Sequence, residues 1–74
     1  MGPQLPALTA KQLVKVLKRH GFESVGFDGS HQFLRHPDGR ITTVPMHAGK
    51  TIKKGLMHEI MRQAGLTRAD LSGK

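Results

Sequence analysis

The sequence contains no cysteine, tryptophan or tyrosine, and only five of its 74 residues are acidic. Without cysteine the chain cannot form a disulfide, a cysteine-ligated zinc site or a thiol nucleophile. Its apolar residues are dispersed, and no run approaches the roughly 18 residues that a membrane-spanning helix needs. The N-terminus also lacks the basic and apolar regions of a secretory signal. We therefore expect a cytoplasmic protein with no membrane partner.

Positive charge is the most prominent feature of what is present. Twelve lysines and arginines give the chain a net charge of +7. A chain of this length forms one small domain, and so much charge on so little surface indicates a polyanionic partner. A basic helix that binds membranes would carry Trp or Phe on a long apolar face, whereas the three phenylalanines, at positions 22, 27 and 33, lie outside the predicted helices. Nucleic acid is therefore the favoured partner.

Two segments show the apolar periodicity of amphipathic helices. The first begins after a capping box formed by Thr9 and Gln12 and ends about ten residues later, before Gly21, which suits a left-handed helix end. The second runs over residues 55–64 and ends at Gly65. The predicted buried faces contain Ala10, Leu13, Val14 and Leu17 in the first helix and Leu56, Met57, Ile60, Met61 and Ala64 in the second.

Between these helices the sequence favours three β-strands. Asp28-Gly29 is a hairpin signal between the β-forming residues 22–27 and 30–36. Residues 37–40 contain a Pro-Asp-Gly turn, which separates the second strand from the β-branched residues 41–44. The pattern therefore predicts an antiparallel meander.

The order α-β-β-β-α predicts an α+β domain with two helices on one face of a three-stranded antiparallel sheet. Because the opposite face would stay open, the alternation of the second strand leaves either Phe33 or Leu34 exposed unless a bulge intervenes. We assign this single domain to residues 9–71, with a flexible N-terminal arm at 1–8 and a C-terminal tail at 72–74.

Three of the five histidines are candidates for chemistry. His31, His36 and His47 lie at the hairpin, at the following turn and in a basic loop, so they can converge at one end or on the open face of the sheet. A histidine can take or give a proton near neutral pH, for example when a ribose 2′-hydroxyl attacks a phosphodiester. His31 is the most suitable because it follows the small residues Gly29 and Ser30. A histidine at a strand start is often only a surface residue, so both interpretations stay open.

Metal chemistry is disfavoured, because the spacing of the three histidines matches no compact ligand pattern and two of the few carboxylates lie in turns. We therefore expect no metal and no cofactor. Three lysines, Lys50, Lys53 and Lys54, precede the second helix, where cations oppose the helix dipole. Free N–H groups and lysines together can bind phosphate. A solvated basic loop is the alternative.

Four blocks of sequence carry a resemblance to a known family. They are Gly29-Ser30-His31, Arg35-His36-Pro37-Asp38-Gly39-Arg40, Val44-Pro45-x-His47-x-Gly49-Lys50 and Gln63-Ala64-Gly65-Leu66. In this order and spacing, over about residues 9–71, the chain resembles the HicA mRNA interferase toxins. The resemblance implies a fold like the double-stranded RNA-binding domain and a toxin that cleaves mRNA without the ribosome. It also implies a HicB-like antitoxin partner that covers the active site.

The resemblance implies that His31, in the Gly-Ser-His block, is the catalytic residue. We expect it to act as general acid or base, with His36 and His47 as accessory acid/base candidates. The expected RNA- or phosphate-binding residues are Ser30, Arg35, Lys50, Lys53 and Lys54. Similar sequences usually carry threonine where this chain has Leu56, and loss of that hydroxyl would weaken a cap or a phosphate contact.

Two other functions remain open on the sequence alone. One is a non-catalytic RNA-binding module of the same fold, which would bind an RNA helix by shape and phosphate contacts and would not depend on His31. The other is a protein-interaction domain whose open sheet face binds a partner in a way that is insensitive to salt.

Overall fold

A computed structural model of the protein describes residues 6–71 and confirms the predicted α-β-β-β-α order. Helix α1 spans Ala10–Arg19, helix α2 spans Lys54–Ala64, and a short helix α3 spans Arg68–Leu71. Between α1 and α2 lie the strands β1 (Glu23–Asp28), β2 (His31–Arg35) and β3 (Ile41–Pro45). The strands form an antiparallel sheet in the order β1-β2-β3. Among the described residues, no helix is long and apolar enough to cross a membrane.

Both long helices have the ends that the sequence predicts. The N–H of Gln12 donates to Thr9 Oγ1 at 3.3 Å, and the N–H of Thr9 donates to Gln12 Oε1 at 2.9 Å, which completes the capping box. Helix α2 ends at Gly65, whose φ of 70° is left-handed. Such a conformation is cheap only for glycine, which explains the abrupt end of the helix at this residue.

The core lies between the helices and one face of the sheet. Leu34 and Val44 are fully buried on that face, while their neighbours in β2 and β3 alternate outward. Two polar residues are buried there as well, and each has a partner: Gln32 donates to Ser24 Oγ at 2.8 Å, and Thr42 donates to Gln63 Oε1 at 2.9 Å. The helices therefore cover a single face, as predicted.

The opposite face of the sheet is open. Phe33 lies on this face and is half-buried, whereas Leu34 is buried in the core. Of the two residues that the alternation of β2 left open, Phe33 is therefore the one on the open face. Strand β1 is exposed along its whole length, and its register shifts between Ser24 and Gly26, where a bulge accommodates Val25. The bulge lies in the edge strand, so β2 and β3 pair without interruption.

The predicted terminal segments extend mostly beyond the described residues: residues 1–5 and the tail at 72–74 lie outside them. Leu8, the last residue of the predicted arm, packs against the core, and its carbonyl accepts a hydrogen bond from the N–H of Ile52 at 2.8 Å. Thr9 forms an isolated β-bridge with Thr51. These contacts tie the chain before α1 to the loop before α2.

Candidate active site

A cleft opens at the end of the sheet where β2 begins and β3 ends. Its volume is about 460 Å³. It is lined by His31, Pro45, His47, Lys50, Thr51, Ile52, Lys53 and Leu56. Two of the three candidate histidines and two of the three candidate lysines therefore meet in one place.

The position of His31 follows from the hairpin between β1 and β2. A two-residue turn at Gly29 and Ser30, with Gly29 at a φ of 61°, makes His31 the first residue of β2. Its backbone pairs with Asp28 on one side and with Pro45 on the other. His31 is exposed, and it lies on the open face because the next residue along β2 is buried. The central strand, paired on both sides, thus holds a solvent-accessible imidazole.

The basic loop that follows β3 forms the opposite wall of the cleft. At its start, the N–H of Met46 donates to the carbonyl of Ser30 at 2.7 Å, which joins the loop to the hairpin turn. The N–H of Lys50 donates to the carbonyl of His47 at 3.2 Å, and Gly49 has a φ of 76° within this turn. At the other end of the loop, the hydrogen bond from the N–H of Ile52 to the carbonyl of Leu8 ties it to the chain before α1. The loop is therefore fixed at both ends, which holds His47 and the lysines at the cleft.

The cleft is electropositive and suited to an anion. Within the described chain, none of its lining residues is acidic, and the first turn of α2 contains no acidic residue either. The N-cap of α2 is Lys53, whose side chain makes no capping hydrogen bond. The first N–H groups of a helix carry partial positive charge and attract phosphate when no side-chain oxygen occupies them. Lys50, Lys53 and this helix end therefore favour the same ligand.

A comparison with protein-family models matches residues 10–66 to a family described as the HicA toxin of bacterial toxin–antitoxin systems. The chain belongs to the HicA toxin family. The matched segment includes the whole sheet, both long helices and every residue of the cleft. No match was found among curated protein sequences. Membership supports a toxin role and an endoribonuclease activity for this protein, as the resemblance implied.

Three of the other predicted RNA contacts lie outside the cleft of this HicA-family protein. Ser30 is in the hairpin turn beside His31, with its carbonyl engaged by the loop. Arg35 is at the far end of β2, four residues from His31 and hence about 13 Å along the strand. Lys54 lines a separate, smaller pocket, of about 120 Å³, to which Ile52 also contributes. Arg35 shares the open face of the sheet with His31.

His36 also lies apart from the cleft, although it was an accessory acid/base candidate. Its ring packs edge-on against Phe22, with centroids 5.2 Å apart, and its Nδ1 accepts a hydrogen bond from the N–H of Asp38 at 3.1 Å. Its Nε2 lies only 2.8 Å from where a Cβ on Gly21 would be. His36 therefore packs against the end of α1 as part of the folded framework.

Arg40 contacts the end of α2 in the way that His36 contacts the end of α1. Its guanidinium donates to the carbonyl of Ala64 in the last turn of that helix, and its Cζ lies 5.3 Å from the centroid of the Phe22 ring. Its Nε also donates to the carboxylate of Asp38, at 2.9 Å to Oδ2, and this hydrogen bonding lowers the pKa of Asp38 below its usual range. The Arg-His-Pro-Asp-Gly-Arg block thus joins the β2–β3 turn to both helix ends.

Sequence reasoning missed the apolar part of the cleft. Leu56 was predicted to face the core, but it is 38% exposed and lines the cleft, whereas Met57 beside it is buried. At about 100° per residue, Leu56 lies at the edge of the apolar arc of α2, and this position was the available signal. Thr51 and Ile52 gave no signal of a functional role, and Pro45, although it stands in the Val-Pro-x-His block, was assigned none. Among residues 6–71, no three His, Asp or Glu side chains come close enough together to hold a metal ion.

Proposed function

We propose that this protein is an mRNA endoribonuclease toxin in which His31 is the principal acid–base catalyst. The observation that carries the proposal is the meeting of His31 and His47 with Lys50 and Lys53 in one cleft. Two imidazoles, the side chain that most often serves as acid or base in proton transfer, then stand beside two cations that bind a phosphodiester. An mRNA substrate implies action in the cytoplasm.

The proposed reaction uses the 2′-hydroxyl of the RNA as nucleophile. One histidine removes its proton while the 2′-oxygen attacks the adjacent phosphorus, and the second histidine protonates the 5′-oxygen as its bond to phosphorus breaks. This route leaves a 2′,3′-cyclic phosphate and a 5′-hydroxyl. His31 and His47 are the pair in the cleft, with His47 as the accessory group. Either order of the two roles balances the protons.

The lysines stabilise the charge that develops on phosphorus. Lys50 and Lys53 place two ammonium groups at the cleft, and the N-terminus of α2 adds backbone N–H donors there. Such prearranged positive charge favours the pentavalent transition state more than the singly charged substrate. Protein groups thus supply both the proton transfers and the charge stabilisation, so we propose metal-independent cleavage that persists in excess EDTA.

The proposed partner is a HicB-like antitoxin that covers the cleft. The cleft is open to solvent, and a toxin with this exposed electropositive surface would bind cellular RNA unless it were masked. An acidic surface on the antitoxin would complement the net charge of +7. Covering His31 and the lysines together would block both substrate binding and proton transfer.

Expression in cells tests the proposed function. Wild-type protein and a His31→Ala variant would be induced at equal levels while growth and the integrity of several mRNAs are followed. We expect growth arrest and mRNA fragmentation with wild type and neither with His31→Ala. His58→Ala is the matched control, because His58 is exposed on α2 outside the cleft and should leave both effects intact. Wild-type toxicity in the His31→Ala variant would contradict the proposal and favour a binding module.

A further inference from the structure

The cleft contains an apolar wall that phosphate binding and proton transfer do not require. Pro45, Ile52 and Leu56 are three of its lining residues. Leu56 is among the few large apolar side chains that remain substantially exposed in the described chain. It projects from the first turn of α2, near Lys53 at the N-cap position of that helix. An aliphatic wall therefore lies directly beside the proposed phosphate site.

A nucleobase is the ligand that matches this combination. Each base of an RNA strand is a flat ring with apolar faces and polar edges, joined through ribose to a phosphate, so one face can contact the wall while the backbone stays near Lys50 and Lys53. The cleft volume of about 460 Å³ is within the roughly 300–1,000 Å³ range of sites that enclose whole small molecules. It therefore admits a nucleotide and not merely a phosphate group.

We propose that Pro45, Ile52 and Leu56 form a subsite for one unstacked base next to the phosphate bound at His31. The inference rests on the proposed function and names its substrate class as single-stranded RNA. In a duplex the bases are stacked and paired, so they cannot enter the cleft without being extruded. In single strands the bases are free to splay out and to lay a face against protein side chains. The subsite thereby directs the toxin to unpaired segments of mRNA.

The direct test compares two ligands of equal charge. A short single-stranded RNA and an abasic ribose–phosphate oligomer of the same length are titrated, at one salt concentration, against the cleavage-deficient His31→Ala protein. We expect the RNA to bind roughly fivefold more tightly, which is the low end of the effect of stacking a base on an aromatic side chain, because this wall is aliphatic. Equal affinities for the two ligands would overturn the inference.

A variant of the wall makes the test specific. Leu56→Ser should remove most of the preference for RNA and leave affinity for the abasic oligomer unchanged, because the lysines remain. Val25→Ser is the matched control, since Val25 is a 52% exposed aliphatic residue on β1 and does not line the cleft. Thermal unfolding would verify that both variants fold. Equal weakening of both ligands by Leu56→Ser would contradict a base subsite.

Two further outcomes separate this inference from the proposed function. If wild type cleaves RNA through His31 but the His31→Ala protein binds RNA and the abasic oligomer with equal affinity, the subsite is wrong and the function stands. If His31 proves irrelevant to cleavage while the preference for bases persists, the function fails and the base subsite stands. A Leu56→Ser effect confined to antitoxin binding would assign the wall to a protein partner and overturn the inference.

Discussion

Replacement of Arg40 by alanine tests the claim that the Arg-His-Pro-Asp-Gly-Arg block stabilises the fold. The substitution removes the charged hydrogen bond to the partly buried carbonyl of Ala64, a kind of bond worth about 1.5–3 kcal/mol. It also removes the cation–π contact with Phe22, worth about 0.5–1 kcal/mol at a partly exposed site. Together these losses predict a decrease of about 2–4 kcal/mol in the free energy of unfolding.

That decrease is large for a domain of this size. Domains are typically stable by about 5–15 kcal/mol, and 1 kcal/mol shifts the melting temperature of a small domain by about 4–8 °C. Urea unfolding followed by circular dichroism measures the change. Lys15→Ala on the exposed face of α1 is the matched control and should stay within about 0.5 kcal/mol of wild type. An Arg40→Ala protein as stable as the control would refute this account of the block.

Three further predictions concern the end of helix α1, the lysines of the cleft and the carboxylate of Asp38. Gly21→Ala should lower the free energy of unfolding, measured by chemical denaturation, by about 1–2 kcal/mol or more. The reason is that Gly21 has a φ of 94° and that a Cβ there would lie 2.8 Å from Nε2 of His36. Unchanged stability would show that this close approach is unimportant. Replacing both Lys50 and Lys53 by alanine should weaken the dependence of single-stranded RNA binding on salt. The slope of log affinity against log salt concentration should become less negative by about 1.4, which is about 0.7 for each lost phosphate contact. An unchanged slope would exclude the two lysines as phosphate ligands. Hydrogen bonds from the neighbouring arginine lower the pKa of Asp38 in the folded state, so its stabilising contribution is present above about pH 4 and is lost as pH falls through the lowered folded pKa. Urea unfolding between pH 7 and pH 3 checks this, and an Asp38→Asn variant that shows the same acid loss as wild type would contradict it.

The fold was predictable because its signals are local. The capping box at Thr9, the helical spacing of α1 and α2 and the two turn sequences each act over a few residues, and all agree with one order of elements. The predicted bounds of the three strands and of α2 differ from the structure by at most one residue. The residues from Thr67 to Asp70 favour a short final helical turn, with Asp70 suited to a helix N-terminus, and helix α3 forms there.

The composition of the cleft was less predictable because it depends on contacts between distant residues. His36 and His47 both follow strands, and nothing in their immediate sequence distinguishes their roles. Pairing of His31 with Pro45 places the residues after β3 beside the hairpin, and the contact between Ile52 and Leu8 fixes the loop from its other end. His36 instead packs against Phe22. Only the strand register and these long-range contacts determine that His47 lies in the cleft and that His36 lies in the folded framework.

The helical period also assigned Leu56 to the wrong environment. The spacing correctly grouped it with the apolar residues of α2, but periodicity gives the direction of a side chain without the extent of the surface that covers it. Met57, Ile60 and Ala64 lie near the centre of the apolar arc and are buried, whereas Leu56 lies at its edge in the first turn and faces the cleft.

The measurement that tests the central claim most directly is cleavage of a defined RNA by purified His31→Ala and His36→Ala proteins, with product ends and unfolding free energies determined in parallel. We predict that His31→Ala abolishes cleavage at unchanged stability. His36→Ala should lower stability and still cleave, per folded molecule, at the wild-type rate. Wild type should leave 2′,3′-cyclic phosphate ends in excess EDTA. Wild-type cleavage by His31→Ala, or loss of cleavage only in His36→Ala, would contradict the assignment of the active site to this cleft.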